Sequence, residues 1–154
     1  MPKEQFLIAM RFLAASVSVI SARGSSGKLH AMTASSVTSL TIEPPAILVC
    51  VNNEASIHDA LVEDANLCIS ILKKTQQEIS NICSLKELEP NRFNNDFWDT
   101  SDTPFIKNAQ SNIFCKVDKT IVYHTHKVVI AEVLRAESAD TFNTLMYADG
   151  GYLE

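Results

Sequence analysis

A run of small hydroxylated residues is the first feature of this sequence that could bind a ligand. Residues 32–39 read Met-Thr-Ala-Ser-Ser-Val-Thr-Ser, and the apolar run Ala46–Val51 follows them closely. Small side chains let a ligand approach the backbone, where hydroxyl and amide groups can bind the ring edge, ribityl hydroxyls or phosphate of a planar cofactor. A Ser/Thr-rich edge strand without any ligand has the same composition, so both interpretations stay open.

The segment Cys50–Ser56 is a second candidate, because an apolar strand should end there and a short helix should begin. Free backbone amides at a helix start carry partial positive charge, and Ser56 adds a hydroxyl. A phosphate could therefore bind there without a lysine-rich loop. The alternative is that Ser56 only caps its own helix, with Asp59 as the acid three residues on.

Two histidines, His124 and His126, occupy alternate positions just before a predicted strand. In an extended segment both side chains would point to one face and could form half of a metal site. His30 and His58 are distant in sequence and no third ligand is evident. We therefore expect ordinary surface histidines and no metal site.

Composition excludes several classes of protein. The 154 residues predict one domain, and the net charge of −5 disfavours binding to duplex nucleic acid. The amino-terminal residues resemble neither a signal peptide nor a membrane span, which predicts a cytoplasmic protein. Four glycines are too few for the usual nucleotide-binding loops, and the four cysteines form no Cys-x-x-Cys pair, so we expect reduced thiols.

Periodicity and turn residues predict a mainly antiparallel β protein with two or three peripheral helices. The predicted helices are Phe6–Leu13, Ser56–Ala65 and Thr75–Cys83. The predicted strands are Ser16–Ser21, Leu29–Thr41, Ala46–Val51, Leu67–Leu72, Ser111–Val122 and Lys127–Ala136, with a short ending at Leu145–Leu153. The uninterrupted apolar run Ala46–Val51 predicts a central strand buried on both faces, and Glu89–Thr103 predicts an ordered loop.

A specific combination of motifs carries a resemblance over almost the whole chain. It comprises Met10-Arg11-Phe12, the Met-Thr-Ala-Ser-Ser stretch from Met32, the Pro-Pro-Ala-Ile-Leu-Val-Cys-Val run from Pro44, Ser56, and the Ile-Ala-Glu-Val sequence ending at Val133. The sequence resembles the flavin reductase-like, FMN-binding split-barrel proteins, which include the reductase components of two-component flavin-dependent monooxygenases.

The resemblance implies a fold and a function. The fold would be a mainly β, largely antiparallel split β-barrel with a few peripheral α-helices, and residues 1–154 would form a single flavin reductase-like domain. The function would be reduction of FMN or FAD by hydride transfer from NADH or NADPH, with the reduced flavin supplied to a partner monooxygenase. We also expect a homodimer. A non-catalytic flavin-binding or electron-transfer module is the alternative function.

The resemblance also assigns site residues. The flavin ring and ribityl chain would be lined by Thr33, Ala34, Ser35 and Ser36, and contacted mainly through the backbone of Cys50, Val51 and Asn52. Ser56 would face the phosphate. His126 would be the catalytic-site residue beside the nicotinamide, although the family's usual Gly-Asp-His is replaced here by His124-Thr125-His126. Tyr147 and Tyr152 correspond to the family's terminal aromatic segment.

Overall fold

Twelve strands and two α-helices make up the computed structural model, which describes residues 1–154. The helices are α1 (Pro2–Arg11) and α2 (Gln77–Ser84). The strands are β1 (Ala15–Ser16), β2 (Ser18–Arg23), β3 (Leu29–Ala34), β4 (Val37–Ile42), β5 (Pro45–Asn52), β6 (Asn66–Ile71), β7 (Trp98–Asp99), β8 (Phe105–Ile106), β9 (Ser111–Tyr123), β10 (His126–Ser138), β11 (Met146–Ala148) and β12 (Gly151–Leu153).

Seven of these strands form one antiparallel sheet in the order β3-β2-β6-β9-β10-β5-β4. The two edge strands, β3 and β4, are separated in the chain only by Ser35 and Ser36. In a flat sheet the edges would lie roughly 29 Å apart, at the usual strand spacing. The link from Ala34 to Val37 spans at most about 11 Å, so the sheet must curl until its edges converge at this corner. The predicted split barrel is confirmed.

The barrel interior is filled by aliphatic side chains at alternate positions of its strands. On β5 the side chains of Ile47, Val49 and Val51 are buried, and they pack against Ile20 of β2 and Val117 of β9. Burial of each such side chain contributes about 1.5–3 kcal/mol, so the alternation fixes which face of each strand points inward.

A second apolar cluster lies outside the barrel, where α2 covers β2 and β3. Its members include Val17, Ile79, Leu145 and Trp98. The Trp98 ring is 4.4 Å from that of Phe93, and its indole N–H donates to the Arg92 carbonyl at 2.6 Å. These contacts order the segment Glu89–Thr103, which was predicted as a loop; it overlaps the end of a 3₁₀ helix at Lys86–Asn91 and contains β7.

Two strand predictions were wrong in detail. The predicted strand Leu29–Thr41 is two strands, since the chain leaves one edge of the sheet at Ser35 and enters the other edge at Val37. The apolar run of β5 is neither central nor buried on both faces. It lies next to edge strand β4, and Leu48 and Cys50 on its other face are only partly buried.

The predicted helix Ser56–Ala65 was also wrong, because only one 3₁₀ turn, His58–Ala60, forms there, and Ser56 does not cap it. The cause is tertiary. Ile57 and Leu61 are fully buried, and the Lys127 ammonium donates to the carbonyls of His58 and Leu61, each at 2.7 Å. The His58 carbonyl also accepts the Leu61 amide at 3.3 Å, which closes the 3₁₀ turn, so Lys127 holds the chain at this single turn. The other two predicted helices, Phe6–Leu13 and Thr75–Cys83, are confirmed as α1 and α2, although their ends differ by a few residues.

Trp98 provides a test of this packing. Trp98→Ala should lower the free energy of unfolding by about 3–5 kcal/mol, because it leaves a cavity between α2 and the sheet. Urea denaturation followed by circular dichroism measures the change. Phe142→Ala is the matched control, since the Phe142 side chain is 82% exposed and its loss should have little effect. Equal destabilisation by both variants would contradict this view of the second cluster.

Candidate flavin site

A cavity of about 420 Å³ opens at the corner where the sheet edges converge. We call it the corner cavity. Three parts of the chain enclose it: the end of β3, helix α2 and the terminal hairpin β11–β12. Its lining residues are Val17, Thr33, Ala34, Ser35, Ser80, Asn81, Ser84, Tyr147, Gly150, Gly151 and Tyr152. The corner cavity is therefore lined by Thr33, Ala34 and Ser35, which belong to the hydroxylated run at residues 32–39. We call this run the hydroxyl segment.

A chain of hydrogen bonds holds these three parts together. The Thr33 hydroxyl donates to the Ser80 carbonyl at 2.7 Å, and the Ser80 hydroxyl donates to the Tyr152 hydroxyl at 2.8 Å. Tyr152 in turn donates to the Asn81 side-chain oxygen at 3.0 Å. The walls are thus fixed by polar contacts before any ligand binds. No local sequence pattern indicates that Ser80 and Asn81 belong to the site.

The terminal hairpin is also attached to α1. The Arg11 guanidinium donates to the Asp149 carboxylate at 3.1 Å and to the Asp149 carbonyl at 3.2 Å. Asp149 and Gly150 form the hairpin turn with positive φ angles of 50° and 78°. The positive φ of Gly150 favours glycine, and a Cβ there would lie 3.0 Å from the Arg11 guanidinium, so the flexible Arg11 side chain would have to shift.

A second cavity of about 280 Å³, here called the bridging cavity, adjoins the first and shares Thr33 and Ser84 with it. It brings Asn52 and Ser56 next to the hydroxyl segment, so the two candidate segments of the sequence meet here. Its lining residues are Met32, Thr33, Asn52, Glu54, Ala55, Ser56, Cys83, Ser84, Lys86, Glu89 and Arg92. Two of these residues, Lys86 and Arg92, are cations, and no local sequence pattern indicates that they belong to the site.

The end of β5, residues Cys50 to Asn52, has no strand partner on its β4 side, and of these residues only Asn52 lines one of the two cavities. Pairing between β4 and β5 ends at Val37 and Val49, whereas pairing with β10 continues to Asn52. On the β4 side, the Ser36 hydroxyl donates to the Cys50 carbonyl at 3.2 Å. The Val51 side chain is fully buried, so only its backbone can face a ligand. The Asn52 side-chain oxygen accepts the Glu54 amide at 2.9 Å.

His126 lies directly opposite Asn52 in the pairing of β10 with β5. Its imidazole is exposed, and its Nδ1 is 2.9 Å from the Thr125 hydroxyl. The Asn53 amide donates to the Thr125 carbonyl at 2.9 Å, and the Asn53 side chain donates to the His124 carbonyl at 3.0 Å. The β9–β10 hairpin is therefore bound to the segment that carries Ser56.

The extended conformation assumed for His124–His126 was wrong. His124 has a φ of 50° and, with Thr125, forms the two-residue tip of the β9–β10 hairpin. The two imidazoles therefore do not share one strand face as alternate residues would. The structure has no group of three or more His, Cys, Asp or Glu side chains arranged to hold a metal ion.

The four cysteines are free, as predicted. Burial raises the pKa of Cys68, Cys83 and Cys115 to about 12 in each case, which leaves them as neutral thiols at physiological pH. Cys50 is only partly buried. None of the helices has the length and apolar character needed to span a lipid bilayer.

The sequence profile of the flavin reductase like domain matches residues 10–154. The chain belongs to this family. It is 34% identical over 144 residues to the FMN reductase (NADH) RutF of Pseudomonas syringae, with coverage of 92% of this chain and 80% of that protein. It is 32% identical over 152 residues to the reductase component of the FADH(2)-dependent resorcinol hydroxylase of Rhizobium, with 97% and 85% covered.

Solved structures of the flavin reductase-like family agree with the fold of this chain. A crystal structure from Haemophilus somnus superposes with a TM-score of 0.89 at 30% identity, covering 97% of each chain. BorF, the flavin reductase component of a bacterial two-component tryptophan halogenase, superposes with a TM-score of 0.85 at 28% identity, covering 99% of this chain and 97% of BorF. The overall fold of this chain is thus shared with these solved structures.

Thiol labelling tests the burial beside the site. With a small aromatic disulfide at neutral pH, one of the four thiols should react quickly, because Cys50 is the only cysteine that is not buried. Absorbance of the released thiolate gives the number of reacted groups. Cys50→Ser should abolish the fast reaction, and guanidinium should expose the three remaining thiols. Fast reaction of two or more thiols in the folded wild type would contradict the structure.

Proposed function

We propose that this chain is an NADH-dependent flavin reductase that reduces FMN or FAD and supplies the reduced flavin to a separate oxygenase. One observation carries the proposal: the two candidate segments of the sequence line adjoining cavities at the corner of the barrel. Membership of the flavin reductase-like family and relatives named as NADH-dependent FMN reductases support the same reaction. The nicotinamide and flavin pools that it would use are consistent with a cytoplasmic location.

The donor set of the two cavities suits a flavin mononucleotide unit. Thr33, Ala34 and Ser35 would line the ring and ribityl chain, with Ser36 beside them, and the free edge of Cys50, Val51 and Asn52 would contact the flavin through the backbone. Ser56 would bind the phosphate, together with Lys86 and Arg92. Arg92 is 92% buried, and its guanidinium donates only to backbone carbonyls and forms no ion pair with a carboxylate. A bound phosphate would supply the anionic partner that a buried cation needs.

Flavin, when bound, supplies the hydride acceptor, so the protein needs to provide only orientation and electrostatic stabilisation. Backbone amides near Thr33–Ser36 would stabilise negative charge on the ring edge, because they are fixed in place by the corner. His126, exposed and opposite Asn52, would contact the nicotinamide on the open side of the site. Direct transfer between stacked rings requires no acid–base pair, which agrees with the absence of one from the sequence.

A homodimer would cover an apolar helix that the single chain leaves in solvent. No residue of α1 is buried, and Phe6, Leu7 and Ile8 are each more than half exposed. Phe12 and Leu13, which follow the helix, are 71% and 66% exposed. Such a contiguous apolar surface is typical of an interface between subunits. Because Arg11 binds the Asp149 turn, the interface would lie beside the corner cavity.

The reaction is tested by anaerobic mixing of the protein with NADH and excess FMN or FAD, following flavin absorbance. Bleaching of the flavin at a rate proportional to enzyme supports the proposal. Tight stoichiometric flavin without NADH consumption would instead identify a non-catalytic flavin module and overturn it.

The role of His126 is tested by His126→Ala. We expect the KM for NADH to rise about tenfold, a loss of about 1.4 kcal/mol, with a smaller change in the KM for flavin. His124→Asn is the matched control, because asparagine tolerates the positive φ of this exposed residue at the hairpin tip and the variant should leave both constants nearly unchanged. An equal effect of the two substitutions would remove His126 from the nicotinamide site.

Light scattering tests the dimer. The wild type should have twice the monomer mass of 17.0 kDa. Ile8→Glu should give the monomer mass, because a charge on an exposed helix face is tolerated in a monomer but not in an apolar interface. A wild type at 17.0 kDa under dilute conditions would rule out the stable dimer.

A further inference from the structure

A third cavity continues from the bridging cavity away from the corner. We call it the outer cavity, and it has a volume of about 430 Å³, close to that of the corner cavity. It shares Ser56, Lys86, Glu89 and Arg92 with the bridging cavity and adds Lys28 and His30. The bridging cavity therefore adjoins both the corner cavity and the outer cavity, and the proposed phosphate position lies among the residues that the bridging and outer cavities share.

Arg92 is the buried cation where the bridging and outer cavities meet. Its guanidinium donates to the carbonyls of Ala31 at 2.9 Å, Ile82 at 3.2 Å and Leu85 at 3.3 Å. These bonds orient the guanidinium but leave its charge without an anionic partner. Three cations, Lys28, Lys86 and Arg92, line the outer cavity, and Glu89 is the only acidic residue in its lining. The cavity therefore favours a ligand group that carries negative charge.

His30 provides a hydrogen-bonding group of a different kind. Its Nδ1 is buried and has no hydrogen-bond partner in the folded chain. Burial, and then the nearby Lys28, lowers the pKa of His30 below its usual 6.5, so a neutral imidazole faces the cavity at physiological pH. A neutral imidazole both donates and accepts, which suits a ribose hydroxyl or a purine nitrogen. Phe93 and Pro90 add apolar surface to the same wall.

We propose that the outer cavity binds the adenosine monophosphate end of FAD, so that this enzyme prefers FAD to FMN. This inference rests on the proposed flavin reductase function. A mononucleotide would end at the bridging cavity and leave Lys28 and His30 without a ligand. The second phosphate of FAD would lie between Lys28 and the Arg92–Lys86 pair, and its adenosine would reach His30 and the face of Phe93. Adenine has two fused rings against three in the flavin, so a cavity of similar volume accommodates it.

The test compares the KM values for FAD and FMN at saturating NADH in the wild type and in Lys28→Ala and His30→Gln. We expect a lower KM for FAD than for FMN in the wild type. In Lys28→Ala the ratio of the KM for FAD to that for FMN should rise about tenfold, as expected for loss of a cation that contacts a phosphate. His30→Gln should shift the same ratio in the same direction.

Lys107→Ala is the matched control, because Lys107 is an exposed lysine that lines a separate cavity with Lys73 and Asp96. The ratio of the KM for FAD to the KM for FMN in Lys107→Ala should equal that of the wild type. Far-ultraviolet circular dichroism checks that each variant is folded.

Failure of the inference is distinguishable from failure of the proposed function. If the wild type reduces neither flavin, the proposed function fails. If it reduces both, and neither Lys28→Ala nor His30→Gln changes the FAD to FMN ratio, the adenylate site is overturned while the reductase stands. A rise confined to the KM for NADH, with FMN as acceptor, would place the nicotinamide dinucleotide in the outer cavity and would also overturn the assignment to FAD.

Discussion

The convergence of two sheet edges on a two-residue link is the constraint on which the rest of this structure depends. Because Ser35 and Ser36 connect β3 to β4, the sheet closes around its aliphatic interior and leaves one corner where backbone groups lack strand partners. Helix α2 and the terminal hairpin then enclose that corner through the Thr33–Ser80–Tyr152 hydrogen bonds. The corner cavity is thus a consequence of how the barrel closes, and small side chains at Ala34 and Ser35 line it.

Much of the fold could be predicted from the sequence, because periodicity reports burial. The long strands Ser111–Tyr123 and His126–Ser138 and the helix at Gln77–Ser84 were predicted nearly at their observed places. The errors occurred where distant contacts override local pattern. Ser35 and Ser36 look like part of a strand until the other sheet edge is known. Ser56–Ala65 looks helical until Lys127, from β10, takes the carbonyls of His58 and Leu61.

The candidate site also combines residues that local sequence pattern indicates with residues that only distant contacts bring there. The hydroxyl segment and the Cys50–Ser56 segment were identified from residue type and family resemblance, and the fold brings them to adjoining cavities. Arg92 could not be identified in this way, since an arginine in a polar loop gives no sign that it will be buried and held by three backbone carbonyls. Ser80 and Asn81 were missed for a related reason: helical periodicity predicts that α2 packs on the sheet, but not which polar residues close a neighbouring cavity.

The ties between Asn53 and the tip of the β9–β10 hairpin have a mechanical consequence. The hairpin tip, the Ser56 segment and the 3₁₀ turn held by Lys127 are connected by short hydrogen bonds, so they should shift as one rigid body. A fluctuation that moves His126 would therefore carry Ser56 with it. The distance between His126, proposed to contact the nicotinamide, and Ser56, proposed to bind the flavin phosphate, would then be preserved even while the opening around them widens or narrows.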